Sequence, residues 1–374
     1  MRITWGAFYA FLYLYRCMFS VLGQTIVLRL TSVPDTAGYQ SQQVGNVLAQ
    51  WGDFSQGSSF ALQIQANFAT MLVGGALSML TGGSAILINI GFQTIAFLGL
   101  WRLLSAALPE SRRMLAILML FPSFTVWSSI ASKEALVVFL VGMLGGYTMD
   151  LYRGRARWHL FHVALVAALY VFKPHFLPAL VFLIIVPVIA RWIRQPAAVA
   201  LLAGIASLVP LYALRYQIDD FVLKTVNDIF VEPGGSTRLE PFLTEQFDFL
   251  AKAPQGMLRA FIGPTFEEAS RGALHFFSYA ESLLIILFLI VYLVPRLPRM
   301  PAYMAIVGTF VAFWTLFANY PLGLANPGTA VRYRTDYILL LFVAVTVLSS
   351  REVFLRWRMP FRQAHQLDAP EAPA

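Results

Sequence analysis

A succession of long apolar runs constrains this chain more than any other feature of its sequence. An α-helix needs roughly 20 mostly apolar residues to cross the hydrocarbon core of a bilayer. Ten stretches reach or approach that length, at 5–28, 84–104, 114–130, 134–150, 158–172, 174–191, 197–215, 274–295, 301–319 and 336–350. Only 12% of the 374 residues are charged, against roughly 25% in soluble domains. A soluble fold could not cover so much apolar surface, so the sequence predicts an all-α, polytopic membrane helix bundle with about ten transmembrane helices.

An eleventh apolar stretch, 68–80, is short and flanked by glycines, and we interpret it as a re-entrant or interfacial helix. With that assignment, one membrane face carries 15 arginines against five acidic residues. Positive residues are enriched in cytoplasmic loops, so both termini are expected in the cytoplasm. The chain is then a single transmembrane domain over 1–350, with external loops at 29–83, 216–273 and 320–335. The remaining tail, 351–374, is expected to be cytoplasmic and disordered.

Several classes of function are excluded or disfavoured by what the sequence lacks. The net charge of +8 is dispersed along one membrane face, which argues against a nucleic-acid ligand. The single cysteine, Cys17, cannot form an internal disulfide or a cysteine metal site. There is no phosphate-binding loop, dinucleotide fingerprint or zinc-hydrolase motif. No cofactor is therefore predicted, and a divalent metal is not indicated.

The predicted first external loop contributes an acidic candidate, Asp35, directly after the first helix. A carboxylate in this position could act as general base toward an incoming hydroxyl group. The alternative is structural, because aspartate is a favoured N-cap and a short helix could begin here. Asp53 is a weaker second candidate in the same loop.

The segment 121–134 closes one helix and opens the next, with Lys133 and Glu134 at the turn. Ionisable groups at membrane depth are costly, so those that occur there are usually functional or paired. The structural alternative is that Glu134 stabilises the helix N-terminus through the dipole while Lys133 extends its amine toward water.

A third candidate pair, Lys173 and His175, lies between two helices on the predicted external face. Lys173 could bind a phosphate as a point charge, and His175 could act as an acid/base or metal ligand. The five histidines show no metal-ligand spacing, which favours a structural hydrogen bond for His175.

The fourth candidate set is Arg332, Tyr333 and Arg334, just before the last apolar run. Guanidinium groups bind phosphate oxygens bidentately, and these arginines lie on the external side, where they cannot serve as a topology signal. Pairing with Asp336 or with acids of the 216–273 loop is the structural alternative.

Arg16 lies inside the first helix, where it would be expensive facing lipid. We expect it to face the bundle and to pair with a carboxylate or a lipid phosphate, with Glu281 as a candidate partner.

Taken together, these segments resemble bacterial membrane glycosyltransferases of the GT-C superfamily. The resemblance rests on an Asp-x-x-x-Tyr pattern at Asp35 and Tyr39, on the short re-entrant helix, and on a Pro-Ser-x-x-x-Trp-Ser-Ser pattern that ends in an external acid. The runs PSFTVWSSIASKEA and GTAVRYR, and the stretch 253–264, are similar to membrane proteins of bacterial polysaccharide gene clusters. The resemblance covers about residues 1–350.

The resemblance implies a GT-C-like fold and transfer of a sugar from a polyprenyl-phosphate or -diphosphate carrier to a glycan or lipid acceptor. The reaction would proceed with inversion at the external face, in cell-surface polysaccharide biosynthesis. Asp35 would match the first-loop catalytic acid and Glu134 the second-loop acid. Arg332 and Arg334 would match the residues that bind the carrier phosphate, and Lys173 would help them. Tyr39, Lys133, His175 and Tyr333 complete the predicted substrate-binding set.

The chain departs from the family pattern in two places. Asp35-Thr36 stands where the family has an Asp-Glu pair, and Lys133-Glu134 stands where it has an aspartate. Three alternatives remain open: a polysaccharide polymerase, a transporter or flippase of lipid-linked glycans, and a non-catalytic subunit that works with other polysaccharide-assembly proteins. The sequence shows no internal repeat, which disfavours a transporter.

Overall fold

The computed structural model describes residues 5–27, 34–41, 47, 61–153, 155, 159–190, 193, 195–224, 226, 238, 242–324 and 326–349. Asp53 and the predicted tail, 351–374, lie outside the described residues. Those that are described form helices and no strand, so the predicted all-α class is confirmed for them. In chain order the helices are α1 Trp5–Leu22, α2 Pro34–Ser41, α3 Ala61–Thr81, α4 Ala85–Ala106, α5 Pro109–Leu118, α6 Pro122–Trp127, α7 Lys133–Tyr152, α8 Leu160–Phe172, α9 Pro174–Ala190, α10 Pro196–Ala213, α11 Arg215–Lys224, α12 Asp248–Ala251, α13 Ala253–Ile262, α14 Phe266–Ala269, α15 Ala273–Leu293, α16 Ala302–Leu324 and α17 Pro327–Leu348.

Within the described residues, six helices are long and apolar enough to cross a membrane. They are Trp5–Thr25, Ala85–Ala106, Lys133–Tyr152, Pro196–Ala213, Ala273–Arg299 and Ala302–Leu324. The helices α8 and α9 meet at a 120° bend and raise the number to seven if they form one span. Only 11% of α10 is buried although the helix is strongly apolar. Such an exposed apolar surface is expected of a helix that faces lipid, so the chain is a multi-pass membrane protein.

The remaining predicted spans are shorter or more charged than a simple crossing helix. The run 114–130 is divided between α5 and α6, which begins at Pro122. Helix α8 has 13 residues, and α17 carries Arg332, Arg334 and Asp336 in its first half. The prediction of about ten spans stays a prediction.

Helices α4 and α7 run parallel and pack closely against each other. A Cβ added at Gly99 would lie 2.5 Å from the carbonyl oxygen of Phe139, so the two backbones touch. Near the start of both helices, the N–H of Ala131 donates to Asn89 Oδ1 at 2.8 Å. This contact fixes the first turn of α7, where two of the predicted site residues lie.

The other ends of these helices meet in what we call the arginine end of the bundle, marked by Arg102 and Arg112. Arg102 forms an ion pair with Asp150 in the last turn of α7. Arg112 lies 4.9 Å from the centre of the Trp5 ring, at the start of α1. The last turn of α17 lines a small cavity here together with the ends of α4 and α7. Arg112 and the first turn of α17 therefore lie at opposite ends of the bundle.

The predicted re-entrant or interfacial segment, 68–80, is part of a longer helix, α3, of 21 residues. It packs against α2, α4 and α8. A Cβ at Gly74 would lie 2.2 Å from the carbonyl oxygen of Tyr39, so glycine permits the close approach of α2. Gly82 and Gly83 have positive φ angles of 63° and 77° and turn the chain into α4, a conformation that glycine adopts without steric cost.

Most of the segment predicted as a third external loop, 320–335, is helical where the structure describes it. Helix α16 continues to Leu324, and α17 begins at Pro327. Asn326 Oδ1 accepts hydrogen bonds from the N–H groups of Gly328 and Thr329, which caps α17. Arg332 and Arg334 therefore lie on a helix. The angle between their side chains around the helix axis then decides whether they can share a partner.

Arg238 stabilises the junction between α16 and α17. Its guanidinium donates to both carboxylate oxygens of Glu268, at 2.6 and 2.7 Å, and to the carbonyl oxygens of Gly263 and Leu324. Burial would raise the pKa of Glu268, but hydrogen bonds from Arg238 and from the N–H of Thr265 outweigh it and lower the pKa. This buried contact holds the start of α17 in place.

Candidate functional site

The centre of the site is an ion pair between Arg332, on α17, and Glu134, in the first turn of α7. Arg332 Nε donates to Glu134 Oε1 at 3.0 Å, and Nη2 donates to Oε2 at 3.1 Å. Glu134 is fully buried. Ser132 begins the helix that carries it, because its Oγ accepts a hydrogen bond from the N–H of Ala135. Glu134 therefore does more than stabilise a helix N-terminus, since it takes one whole edge of the guanidinium.

Asp35 approaches the same arginine from the first turn of α2. One oxygen, Oδ2, lies 3.4 Å from both Nη1 and Nη2 of Arg332. The Asp35 side chain is 48% exposed, whereas that of Arg332 is 15% exposed. Three charged groups from three distant parts of the sequence thus meet at one end of the bundle, which we call the polar end.

A second buried ion pair lies beside the first. Lys173 Nζ lies 3.0 Å from Asp336 Oδ2, and both side chains are buried. The same ammonium lies 4.4 Å from the centre of the Tyr333 ring. Lys173 is therefore engaged by Asp336 and by an aromatic face, and it is not a free phosphate ligand in this structure.

Lys133 is the least satisfied cation of the group. It is 9% exposed and forms no ion pair with the residues that the structure describes. It interacts electrostatically with Glu134, Lys173, Arg332 and Asp35. A buried ammonium without a carboxylate of its own is costly, which makes Lys133 a candidate for binding an external anion.

We call these six residues the charge cluster: Asp35, Lys133, Glu134, Lys173, Arg332 and Asp336. It contains three basic and three acidic groups, so its formal charge is zero. Replacement of one acid by a ligand would leave a positive site suited to an anion.

Tyr39 and His175 lie at the border of the charge cluster and are held by amides. The Tyr39 hydroxyl donates to Asn67 Oδ1 at 2.9 Å. Burial raises the pKa of Tyr39, and the nearby carboxylates of Asp35 and Glu134 raise it further, so the phenol stays neutral. His175 Nε2 donates to Asn319 Oδ1 at 3.0 Å, which is the structural hydrogen bond considered above.

The prediction that Arg334 shares a site with Arg332 is wrong. Its guanidinium donates to the carbonyl oxygen of Phe261 at 3.0 Å and to the hydroxyl of Ser282, and it lies 4.0 Å from Glu281. Side chains two positions apart on an α-helix point about 200° apart. Arg334 therefore faces α13 and α15, away from the charge cluster.

The suggested pairing of Arg16 with Glu281 is also wrong. Arg16 donates to the carbonyl oxygen of Ser128 at 2.8 Å and to its hydroxyl at 2.9 Å. Glu281 instead accepts from the N–H and hydroxyl of Ser123. Arg16 and Glu281 form hydrogen bonds at opposite ends of α6, the short helix that leads into the turn before Glu134.

Comparison with known proteins does not assign a function to the site. No protein family, curated protein or solved structure matches this chain. Among the described residues, no group of three or more His, Cys, Asp or Glu side chains could hold a metal ion. The argument for function therefore depends on the geometry of the charge cluster.

Sequence reasoning missed two members of the site's surroundings. The sequence suggests Asp336 only as a partner for the arginines, although it lies four positions after Arg332 and thus on the same helix face. Trp127 enters the sequence argument only as part of a motif, and its ring centre lies 5.9 Å from the Arg332 guanidinium carbon. Helical periodicity could have identified Asp336, but the contact with Trp127 depends on tertiary packing.

Proposed function

We propose that this chain is an integral membrane glycosyltransferase of bacterial cell-surface polysaccharide biosynthesis. It would move a sugar from a polyprenyl-phosphate or -diphosphate carrier to a glycan or lipid acceptor, at the external face of the inner membrane. The observation that carries the proposal is the meeting of Asp35, Arg332 and Glu134 at one end of a bundle whose sides face lipid. A lipid-borne phosphate could reach such a site from within the bilayer, with its sugar toward water.

The arrangement of the two ends of the bundle supports an external site. The arginine end carries residues that the positive-inside rule assigns to the cytoplasm, and the charge cluster lies at the other end. A carrier phosphate is itself the leaving group, so no nucleotide is needed on the external side.

In the proposed reaction, Arg332 holds the carrier phosphate, with Lys133 as the second cation. The acceptor hydroxyl oxygen forms a bond to the anomeric carbon from the face opposite the phosphate, which inverts that centre. The bond between the anomeric carbon and the phosphate oxygen breaks, and its electron pair leaves with the phosphate. Asp35 accepts the hydroxyl proton, and the two cations stabilise the charge that develops on the phosphate.

Glu134 has a positioning role in this mechanism. It is fully buried and holds Arg332 through two hydrogen bonds, so it orients the guanidinium and does not itself meet the acceptor. The pair Lys173–Asp336 fixes the neighbouring turn between α8 and α9 and keeps Tyr333 beside Arg332.

The proposal is tested by sugar transfer in membranes from cells that produce the full chain. Asp35→Asn is expected to reduce product formation by about 10²–10⁴-fold, the range for loss of a general base. Arg332→Gln is expected to reduce it by about 10²–10³-fold, as for loss of a group that stabilises developing charge. Glu267→Gln, an exposed acid on α14, is the matched control and should retain full activity.

Normal product from both the Asp35 and the Arg332 variants, at equal protein levels, would eliminate an enzymatic role for the charge cluster. The length of the product separates the two enzymatic alternatives. Addition of one sugar indicates a single transfer, whereas a ladder of repeats indicates a polymerase.

A further inference from the structure

The two edges of the Arg332 guanidinium are held with very different strength. The Nε–Nη2 edge lies against both oxygens of Glu134, at 3.0 and 3.1 Å, and Glu134 is fully buried. The Nη1–Nη2 edge faces a single oxygen of Asp35, at 3.4 Å from each nitrogen, and Asp35 is half exposed. The first contact is a permanent part of the packing, and the second is a long contact open to water.

An exposed ion pair of this length contributes little to stability, because water screens it and two side chains must be ordered to make it. A buried pair behaves differently, since removal of one partner leaves an uncompensated charge in a low-dielectric interior. An incoming anion would therefore exchange with Asp35 and leave Glu134 in place.

The position now occupied by Asp35 suits a tetrahedral phosphate better than a single carboxylate oxygen. Two phosphate oxygens can accept from Nη1 and Nη2 in the bidentate arrangement that guanidinium favours. Lys133 adds a second, buried cation that has no ion-pair partner among the described residues. The chemical class that fits is a phosphate group, which a lipid headgroup and free inorganic phosphate share.

We propose that Asp35 is an internal stand-in for the substrate phosphate: binding of the phosphate to Arg332 displaces Asp35 and frees its carboxylate to act as base. This inference rests on the proposed function for the base, but the exchange itself is a binding property. It makes donor binding a condition for general-base activity, because Asp35 Oδ2 lies against Arg332 until the phosphate arrives. Proton transfer to Asp35 before the donor binds is thereby suppressed.

The exchange is tested by phosphate affinity, measured by titration calorimetry on the full chain in detergent. Two probes are used, inorganic phosphate and a polyprenyl monophosphate. Loss of an internal competitor raises apparent affinity by the reciprocal of the competent fraction, so Asp35→Asn is expected to bind about twofold to fivefold more tightly, within the range given by exposed ion pairs. Lys133→Gln is expected to bind about tenfold more weakly, the loss of one charge-assisted hydrogen bond.

A double-mutant cycle tests whether tighter phosphate binding depends on the contact between Asp35 and Arg332 or only on the loss of a negative charge. Asp35→Asn is also introduced into a background that carries Glu134→Gln and Arg332→Gln together, which removes the buried pair without leaving an unpaired charge. Displacement predicts tightening in the wild-type background and none in this second background. Equal tightening in both backgrounds, or no tightening in either, would overturn the proposal.

These measurements do not depend on sugar transfer. If Asp35→Asn tightens phosphate binding while its sugar transfer remains normal, the exchange is correct and Asp35 is not the general base of the proposed function. If transfer is lost while affinity is unchanged, Asp35 is required but is not displaced. Tightening with the polyprenyl probe alone identifies a lipid headgroup as the source, and tightening with both probes identifies phosphate itself.

Discussion

Replacing Glu134 by glutamine is the most informative single perturbation of this structure. The carboxylate accepts two charge-assisted hydrogen bonds from Arg332, at 3.0 and 3.1 Å, and no part of it is exposed. Hydrogen bonds to charged groups contribute about 1.5–3 kcal/mol each, and loss of one partner of a buried pair costs about 3–5 kcal/mol. At about 2 °C per kcal/mol for a chain of this size, the expected fall in Tm is about 6–10 °C.

The assay is thermal unfolding of the detergent-solubilised chain, with Glu134→Gln, Arg332→Gln and the double variant compared at one pH. Each single variant should be strongly destabilised, because each removes one partner of the buried pair. The double variant should recover to within about 1 kcal/mol of wild type, since paired removal of buried ions is nearly neutral. A double variant that loses as much as both singles added together would refute the coupling, and an unchanged Tm for Glu134→Gln would refute the burial argument.

Three further predictions concern other parts of the molecule. Gly99→Ala forces a Cβ to 2.5 Å from a backbone oxygen of α7 and should cost about 1–3 kcal/mol of unfolding free energy, measured as a lower Tm. A hydrogen bond from the Lys252 ammonium, with others from backbone N–H groups, lowers the pKa of Asp248 from 3.8 to about 2. Its contribution is therefore present above pH 3.8 and lost as pH falls toward 2, so Asp248→Asn should lower Tm at pH 7 and matter little in acid. Cysteines placed at Arg112 and Thr329 in a cysteine-free background should react with a membrane-impermeant reagent from opposite sides of the membrane. Reaction of both from one side would contradict the arrangement of the two ends.

The sequence was sufficient to select the residues at the centre of the site but not their partners. The charge and position of Asp35, Glu134 and Arg332 make them candidates, and the resemblance to the GT-C superfamily favours the functional interpretation over the structural one. The alternation of helix ends then predicted that all three lie on one side, and the structure brings them together.

The error over Arg334 has a definite physical origin. The segment 320–335 contains Pro327, Gly328 and two arginines, and such a composition is typical of an external loop. In a loop, Arg332 and Arg334 could turn toward one ligand. In a helix they cannot. The charged segment can remain helical because its charges have partners within the bundle, as Arg332 has in Glu134 and Asp336 has in Lys173.

The packing of α17 could not be obtained from local sequence for the same reason. Lys173 and Asp336 are 163 positions apart, yet their side chains form a buried pair at 3.0 Å. Nothing in the sequence around Lys173 or Asp336 indicates that Lys173 pairs with this aspartate and does not bind a phosphate. The same effect complicates the counting of spans from sequence. The composition of α17 resembles that of a surface helix, yet the helix can pack inside the bundle because its charges are paired.

The distribution of exposure within the charge cluster connects its stability to its proposed chemistry. Glu134 and Asp336 are fully buried, and each is committed to one cation. Asp35 differs from both in exposure and in contact distance, so it is the acid whose removal from Arg332 costs least. A catalytic base needs such freedom, since a carboxylate locked in a buried pair could not accept a proton from an incoming hydroxyl group. The same reasoning gives Glu134 the role of holding Arg332, because removal of Glu134 would mainly lower the stability of the fold.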